Sequence, residues 1–267
     1  MYKRIIVKIG TKVLSKADGH IEESVLENLV AQIVDLRKDG TEVILVTSGA
    51  VSCGRGLLKS AGKTETVADK QVFAAVGQIG LMETYARLFE KYESLCAQVL
   101  VTKEDFRDAE HSENMDRCFL NLLQRNVIPV VNENDVVAIQ ELIFTDNDEL
   151  AGLIAERLKA DALLILTSVH GVLNGSPSDP SSKTIPEIDY QHIIEAEAHV
   201  TEEKTDIGRG GMLTKFAIAK KMMESSIVVY IAHGKDEGVL RNVVSGTALC
   251  TKFIPLVSSQ AIVLDAY

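Results

Sequence analysis

The sequence predicts an α/β protein with a mainly parallel sheet and helices packed above and below it. Three observations carry that expectation: short apolar, β-branched runs recur along the chain, stretches of helical periodicity separate them, and small or polar residues gather where the runs end. Arg4–Ile9 is the first run and Ser24–Lys38, with apolar residues at helical spacing, the first predicted helix. Glu42–Val46 follows, then a long helix over Lys70–Tyr92 whose Val72, Phe73, Val76, Ile79, Leu81, Met82 and Leu88 cover more than one face. A monomer buries one face only, so this helix predicts a homo-oligomer. Ala97–Val101, a helix at Ser112–Gln124, Val127–Val131, a helix at Glu149–Leu158 and Ala162–Leu166 continue the alternation. A helix at Thr214–Glu224 and the runs Ile227–Ile231 and Lys252–Val257 complete it. Two segments interrupt the pattern: Ala138–Thr145 reads as a short extended or hairpin excursion, and Asn174–Thr184, with Pro177 and Pro180, as a loop. With no internal repeat and no linker, residues 1–267 are expected to form one domain.

Composition narrows the function. The 267 residues are 46% hydrophobic, 25% charged and 5% aromatic, inside the globular range. Lysine and arginine total 28 against 38 acidic residues, a formal charge of −10, and no stretch forms a basic arm, which disfavours nucleic acid and anionic membranes as partners. An anion can still be held locally by backbone amides and a few lysines, so phosphate ligands stay open. No apolar run approaches the roughly 18 residues needed to span a bilayer, and a cytoplasmic protein is expected. Cys53, Cys96, Cys118 and Cys250 are scattered without a C-x-x-C pair, which predicts free thiols and no metal site. His20, His111, His170, His192, His199 and His233 are dispersed, with surface or structural roles expected.

The polar residues at the run ends matter because ligands of open α/β sheets bind outside the carboxyl ends of the strands. Lys8-Ile9-Gly10-Thr11 puts a charge near the end of an apolar strand. Such a lysine either meets an anion or carboxylate or snorkels to water from an edge strand. Gly208-Arg209-Gly210-Gly211-Met212-Leu213-Thr214-Lys215 leads into a helix, and its glycines would let backbone amides approach phosphate oxygens; it matches neither a Walker A loop nor a dinucleotide fingerprint, and a flexible turn is the plainer reading. Asn132-Glu133-Asn134-Asp135 and Asp146-Asn147-Asp148 combine carboxylates and amides, a mixture suited to a zwitterion, although Asp146 or Asn147 also suits a helix N-cap. Thr47-Ser48-Gly49-Ala50 forms a strand-to-helix corner, and the absence of G-x-S-x-G argues against a nucleophilic serine.

Taken in order, Val7–Thr11, Val46–Val51, Lys70-Gln71 with Ala75-Val76-Gly77-Gln78, Val131–Asp135, Asp146–Asp148 and Gly208–Lys215 resemble the amino-acid kinase family, over about Lys3 to Pro255. Within it, the resemblance is to the branch that phosphorylates the γ-carboxylate of L-glutamate, the first step of proline synthesis. It implies an αβα three-layer sandwich, with ATP as co-substrate and Mg²⁺ as its metal. Lys8 and Lys215 are implied to stabilise the transferring phosphoryl group and Asp148 to hold them. Ser48, Asn132, Asp135 and Asn147 are implied to bind glutamate, and Lys8, Gly10, Thr11, Thr167, Ser168, Arg209, Gly210, Gly211, Met212, Leu213, Thr214 and Lys215 to contact the nucleotide. Functional coupling to glutamyl phosphate reductase is a further implication. Three departures stand out: Ser168 replaces a usual aspartate, Ile143 and Thr145 replace an often basic residue and a glycine, and the C-terminal PUA domain of many relatives is not expected here. The rival expectations are a family kinase acting on acetylglutamate, carbamate, aspartate or a nucleoside monophosphate, and a binding module without catalysis.

Overall fold

Strands that are apolar at nearly every position need cover on both faces, and the helical segments of this chain supply it from both sides. The computed structural model describes residues 2–60, 66–138, 146–176, 178–201 and 211–255. In it β1 (Arg4–Ile9) leads through one helical turn, α1 (Thr11–Leu14), to α2 (Glu23–Lys38) and β2 (Glu42–Thr47). Next come α3 (Ala50–Leu57), α4 (Val67–Glu90), β3 (Leu95–Val101), a 3-10 turn at Glu104–Phe106, α5 (Ala109–Gln124) and β4 (Val127–Glu133). The remaining elements are α6 (Asn147–Arg157), β5 (Ala162–Thr167), β6 (Glu187–Asp189), α7 (Ile193–Thr201), α8 (Met212–Glu224), β7 (Val228–His233), α9 (Val239–Ser245) and β8 (Cys250–Ile254). The strands form an eight-stranded sheet in the order β3-β4-β2-β1-β5-β7-β8-β6. Neighbours are parallel except β7 with β8.

Side chains alternate across a strand, so the core divides by parity. Ile6, Ile44, Val46, Leu163 and Ile165 pack with Phe119 of α5, Leu150 and Ile154 of α6, and Phe216 and Met222 of α8. Ile5, Val7, Val43, Leu45 and Leu164 pack on the other face with Leu29 and Ile33 of α2, Leu81 and Leu88 of α4, and Leu240 of α9. This is the expected three-layer sandwich. Lys8 has the parity of Ile6 and therefore joins the layer built by α6 and α8. On the opposite side α3 and α4 touch backbone to backbone: a Cβ on Gly54 would run into the Phe73 carbonyl, and one on Gly77 into that of Ala50. That contact fixes the corner between β2 and α3.

Several elements differ from expectation for identifiable reasons. Three helices start two or three residues early because their caps lie upstream: Thr66 forms a capping box with Asp69, Asp108 accepts from His111 N, and Asp146 accepts from Asp148 N and Glu149 N. β3 is not covered on both faces; it lies at the sheet edge, and Leu95 is 70% exposed. The last strand begins at Cys250, and Val257 lies outside the described residues. The Asn174–Thr184 loop is closed at its base by an antiparallel bridge between Leu173 and Thr184. Of the Ala138–Thr145 excursion only Ala138 is described, and it is buried. The four cysteines are free thiols, as expected.

Candidate active site

β1 occupies the middle of the sheet, with Lys8 in register with Val46 on one side and Ile165 on the other. A lysine there cannot snorkel, and its side chain is 5% exposed. It needs a buried anion, which α6 provides: Lys8 Nζ lies 2.5 Å from Asp148 Oδ1. Lys215, in the first turn of α8, places its Nζ 2.9 Å from Asp148 Oδ2. One fully buried carboxylate thus bridges two ammonium groups that come from opposite ends of the chain. Asp148 also sits in the first turn of α6, where the helix dipole favours a negative charge. Burial alone would push its carboxyl up, but the two lysines outweigh burial and hold it below the ordinary value. The bridge brings two ammonium groups to the carboxyl end of the sheet, a setting suited to phosphate oxygens.

Beside this centre, Asn147 ties the amide cluster together. Its Nδ2 donates to the Thr47 carbonyl at 2.6 Å, to Asn132 Oδ1 at 2.9 Å and to Ser48 Oγ at 3.0 Å. Asn132 Nδ2 in turn donates to Gln78 Oε1 at 2.9 Å, and its Oδ1 accepts from Glu133 N. Gln78 is a site residue to which the sequence reading assigned no role, although its motif was singled out. Its Nε2 is buried and makes no hydrogen bond among the described residues. It lines a cavity of about 220 Å³ together with Asn134, Asp135 and Gln98.

The fold therefore unites Lys8, Asp148 and Lys215 in one group, and Ser48, Asn132 and Asn147 in an adjoining one. Asp135 lies in the turn after β4, on the cavity wall. Gly10, whose N–H donates to the Leu166 carbonyl at 3.0 Å, and Thr11 stand at the end of β1. Thr167 ends β5 and Ser168 follows it. Gly211 caps α8, and Met212, Leu213 and Thr214 form its first turn with Lys215. Arg209 and Gly210 lie outside the described residues. Two histidines that looked dispersed, His170 and His233, meet on the same edge of the sheet.

Asp146 has a different environment from Asp148. It caps α6, its Oδ2 is buried without a hydrogen bond among the described residues, and its carboxyl is pushed up by burial and by the Asp148 charge, with Lys8 and Lys215 offsetting part of the effect. A folded-state value above the unfolded one means that the ionised form weakens folding. The penalty is present once pH exceeds the folded value and vanishes below the unfolded value, near 3.9. Asp146→Asn keeps the capping oxygen and removes the charge. Its thermal midpoint relative to wild type should therefore rise between pH 4 and pH 7. A difference that stays constant or shrinks over that range, measured by circular dichroism melts, contradicts the assignment.

Comparison with known proteins agrees with this geometry. Residues 3–233 match the amino acid kinase family. A glutamate 5-kinase of Chlorobaculum tepidum is 46% identical over 95% of this chain and 70% of its own length, and one of Bacteroides thetaiotaomicron 43% identical over 98% and 72%. Among solved structures, a carbamate kinase from Giardia lamblia bound to AMP-PNP superposes with a TM-score of 0.70 at 16% identity, covering 95% of this chain and 99% of that one. A UMP kinase from Bacillus anthracis gives 0.66 at 17% identity, covering 96% and 97%. The two solved structures share the fold, and the close relatives together with the match over residues 3–233 show that the chain belongs to the amino acid kinase family.

Proposed function

We propose that the chain transfers the γ-phosphoryl group of ATP to the γ-carboxylate of L-glutamate, giving L-glutamyl 5-phosphate, the first step of proline biosynthesis. The observation that carries this reading is the buried Lys8–Asp148–Lys215 bridge. A carboxylate acceptor, with a pKa near 4.3, is already ionised at pH 7 and needs no general base. In the transfer a carboxylate oxygen forms a bond to the γ-phosphorus, the bond to the β,γ-bridging oxygen breaks, and ADP departs with that electron pair. The demand on the protein is to bring two anions together and to neutralise charge on the moving phosphoryl group. Lys8 and Lys215 meet that demand, and Asp148 keeps both aimed before ATP arrives. Thr167, Ser168 and the start of α8 would contact the nucleotide.

The adjoining cluster suits glutamate. Asp135 and Asn147 Oδ1 would accept from its ammonium, while Gln78 Nε2 would donate to a carboxylate oxygen, and Thr47, Ser48 and Asn132 hold the Asn147 NH2 group in place. The names of the close relatives support the same substrate. Mg²⁺ fits as a companion of the nucleotide: both Asp148 oxygens face lysines, which leaves Asp146 Oδ2 as the nearby buried carboxylate oxygen able to reach the ion or its waters. When bound, the ion would withdraw charge from the phosphate oxygens. Residues 1–267 would act as one catalytic unit, since all eight described strands join one sheet. The product is a labile acyl phosphate, which favours prompt consumption by glutamyl phosphate reductase.

Incubation with ATP, Mg²⁺, L-glutamate and hydroxylamine should yield a hydroxamate together with ADP. Turnover of acetylglutamate or carbamate with none of glutamate would overturn the substrate. Asp135→Ala and Asn147→Ala should each raise KM for glutamate roughly 10- to 150-fold, the equivalent of about 1.5–3 kcal/mol for a lost hydrogen bond to a charged ligand. KM for ATP should barely move; equal losses for both ligands would mark the cluster as purely structural.

We also propose self-association through the face formed by α4 and β3, where Ile79 is 72% exposed, Leu95 70% and Val72 53%. Val72, Val76 and Ile79 form a stripe at helical spacing near β3, whose outer edge is unpaired among the described residues, and a second copy would cover both. Light scattering should return a mass well above 29.1 kDa. A particle of that monomer mass over a wide concentration range removes the idea.

A further inference from the structure

We propose that His170, His233 and Asp236 form a binding site for one borderline divalent transition-metal ion, of which Zn²⁺ is the type, distinct from the Lys8–Asp148–Lys215 centre. The three residues come from two loops at the carboxyl edge of the sheet: His170 follows β5, His233 ends β7, and Asp236 lies in the turn beyond it. His170 Nε2 is 3.2 Å from Asp236 Oδ2, and His233 Nδ1 is 3.0 Å from Asp236 Oδ1. One donor atom from each residue can be chosen so that all three lie within 4.8 Å of one another. Tetrahedral ligands at bonds of about 2.0–2.1 Å are separated by about 3.3 Å, so one Asp236 oxygen and the two imidazole nitrogens would draw together from separations of up to 4.8 Å by side-chain rotation.

The site is anchored by the fold. Thr167 and His233 are in register across β5 and β7, and Gly234 N donates to the Thr167 carbonyl at 2.8 Å. Gly234 permits this approach, because a Cβ there would press against Val13 and Leu166. Downstream of His170, Val172 N donates to Thr251 Oγ1 at 2.8 Å. The two imidazoles stack with their centroids 4.9 Å apart and their planes 24° from parallel.

His233 Nδ1 is shielded from solvent and lies 3.0 Å from Asp236 Oδ1 without a well-aligned hydrogen bond among the described residues, so it can turn to a ligand without giving one up. Two imidazole nitrogens with one carboxylate favour Zn²⁺, Ni²⁺ or Cu²⁺, whereas Mg²⁺ prefers an all-oxygen shell. The bound ion would clip the loop after β5 to the loop after β7 and keep at least one position for water. The proposal stands independently of the phosphoryl-transfer reading.

The test is calorimetric titration of the metal-free full chain with Zn²⁺ at pH 7.5, with thermal melts and a parallel Co²⁺ titration followed by visible absorption. We expect one Zn²⁺ per chain, a higher melting midpoint when it is bound, no displacement by excess Mg²⁺, and a Co²⁺ spectrum without thiolate charge transfer. His170→Ala and Asp236→Asn alter partly exposed residues and should each weaken binding more than about 10-fold, since even a supporting contact at a metal site is worth that much. Absence of Zn²⁺ binding by the wild-type chain, undiminished binding by both variants, displacement by Mg²⁺ or thiolate charge transfer would each overturn the proposal.

Discussion

Asp148 is the constraint on which the rest of the centre depends. Two ammonium groups buried within reach of one another repel strongly where water is excluded, and leaving either unpaired costs about 3–5 kcal/mol. A single carboxylate with one oxygen on each lysine resolves the conflict. Asp146, two residues away, illustrates the opposite balance: it caps the helix, Lys8 and Lys215 offset only part of its cost, and burial pushes its carboxyl up.

The topology follows from the same requirement. Lys8 can meet Asp148 and Lys215 only because β1 is central, because even-numbered positions of β1 face the α6 and α8 layer, and because both helices begin at the carboxyl edge of the sheet. The start of α6 then serves two purposes. Asp148 turns toward the lysines, while Asn147 turns toward the end of β2 and to Asn132 on β4. On the proposed function, consecutive residues would thereby place phosphoryl chemistry and acceptor binding side by side.

Much of this was legible in the sequence where local chemistry decides the outcome. Apolar runs marked the long strands, and polar residues at their ends marked the edge where the centre lies. The early helix starts were harder to see, since Thr66, Asp108 and Asp146 act as caps upstream of the apolar periodicity. β6, with three residues, and the short helices α1, α3 and α9 offer too few positions for a period to show. For Lys8 the residues alone left two readings open, and the distinction rested on strand order, a nonlocal property: at an edge it would have reached water. Gln78 acquires its place through a hydrogen bond to Asn132, 54 residues away. The pairing of His170 with His233 depends equally on the parallel register of β5 and β7.

The most direct test of the central claim is the turnover number of Asp148→Asn, measured on protein shown to be folded by circular dichroism. Asparagine keeps the size and removes the charge that aims and balances Lys8 and Lys215. The account predicts a kcat lower by about 10²–10³, the value typical of one preorganised electrostatic group, accompanied by a lower melting midpoint from two unbalanced buried ammonium groups. A folded Asp148→Asn variant that turns over at close to the wild-type rate would contradict it.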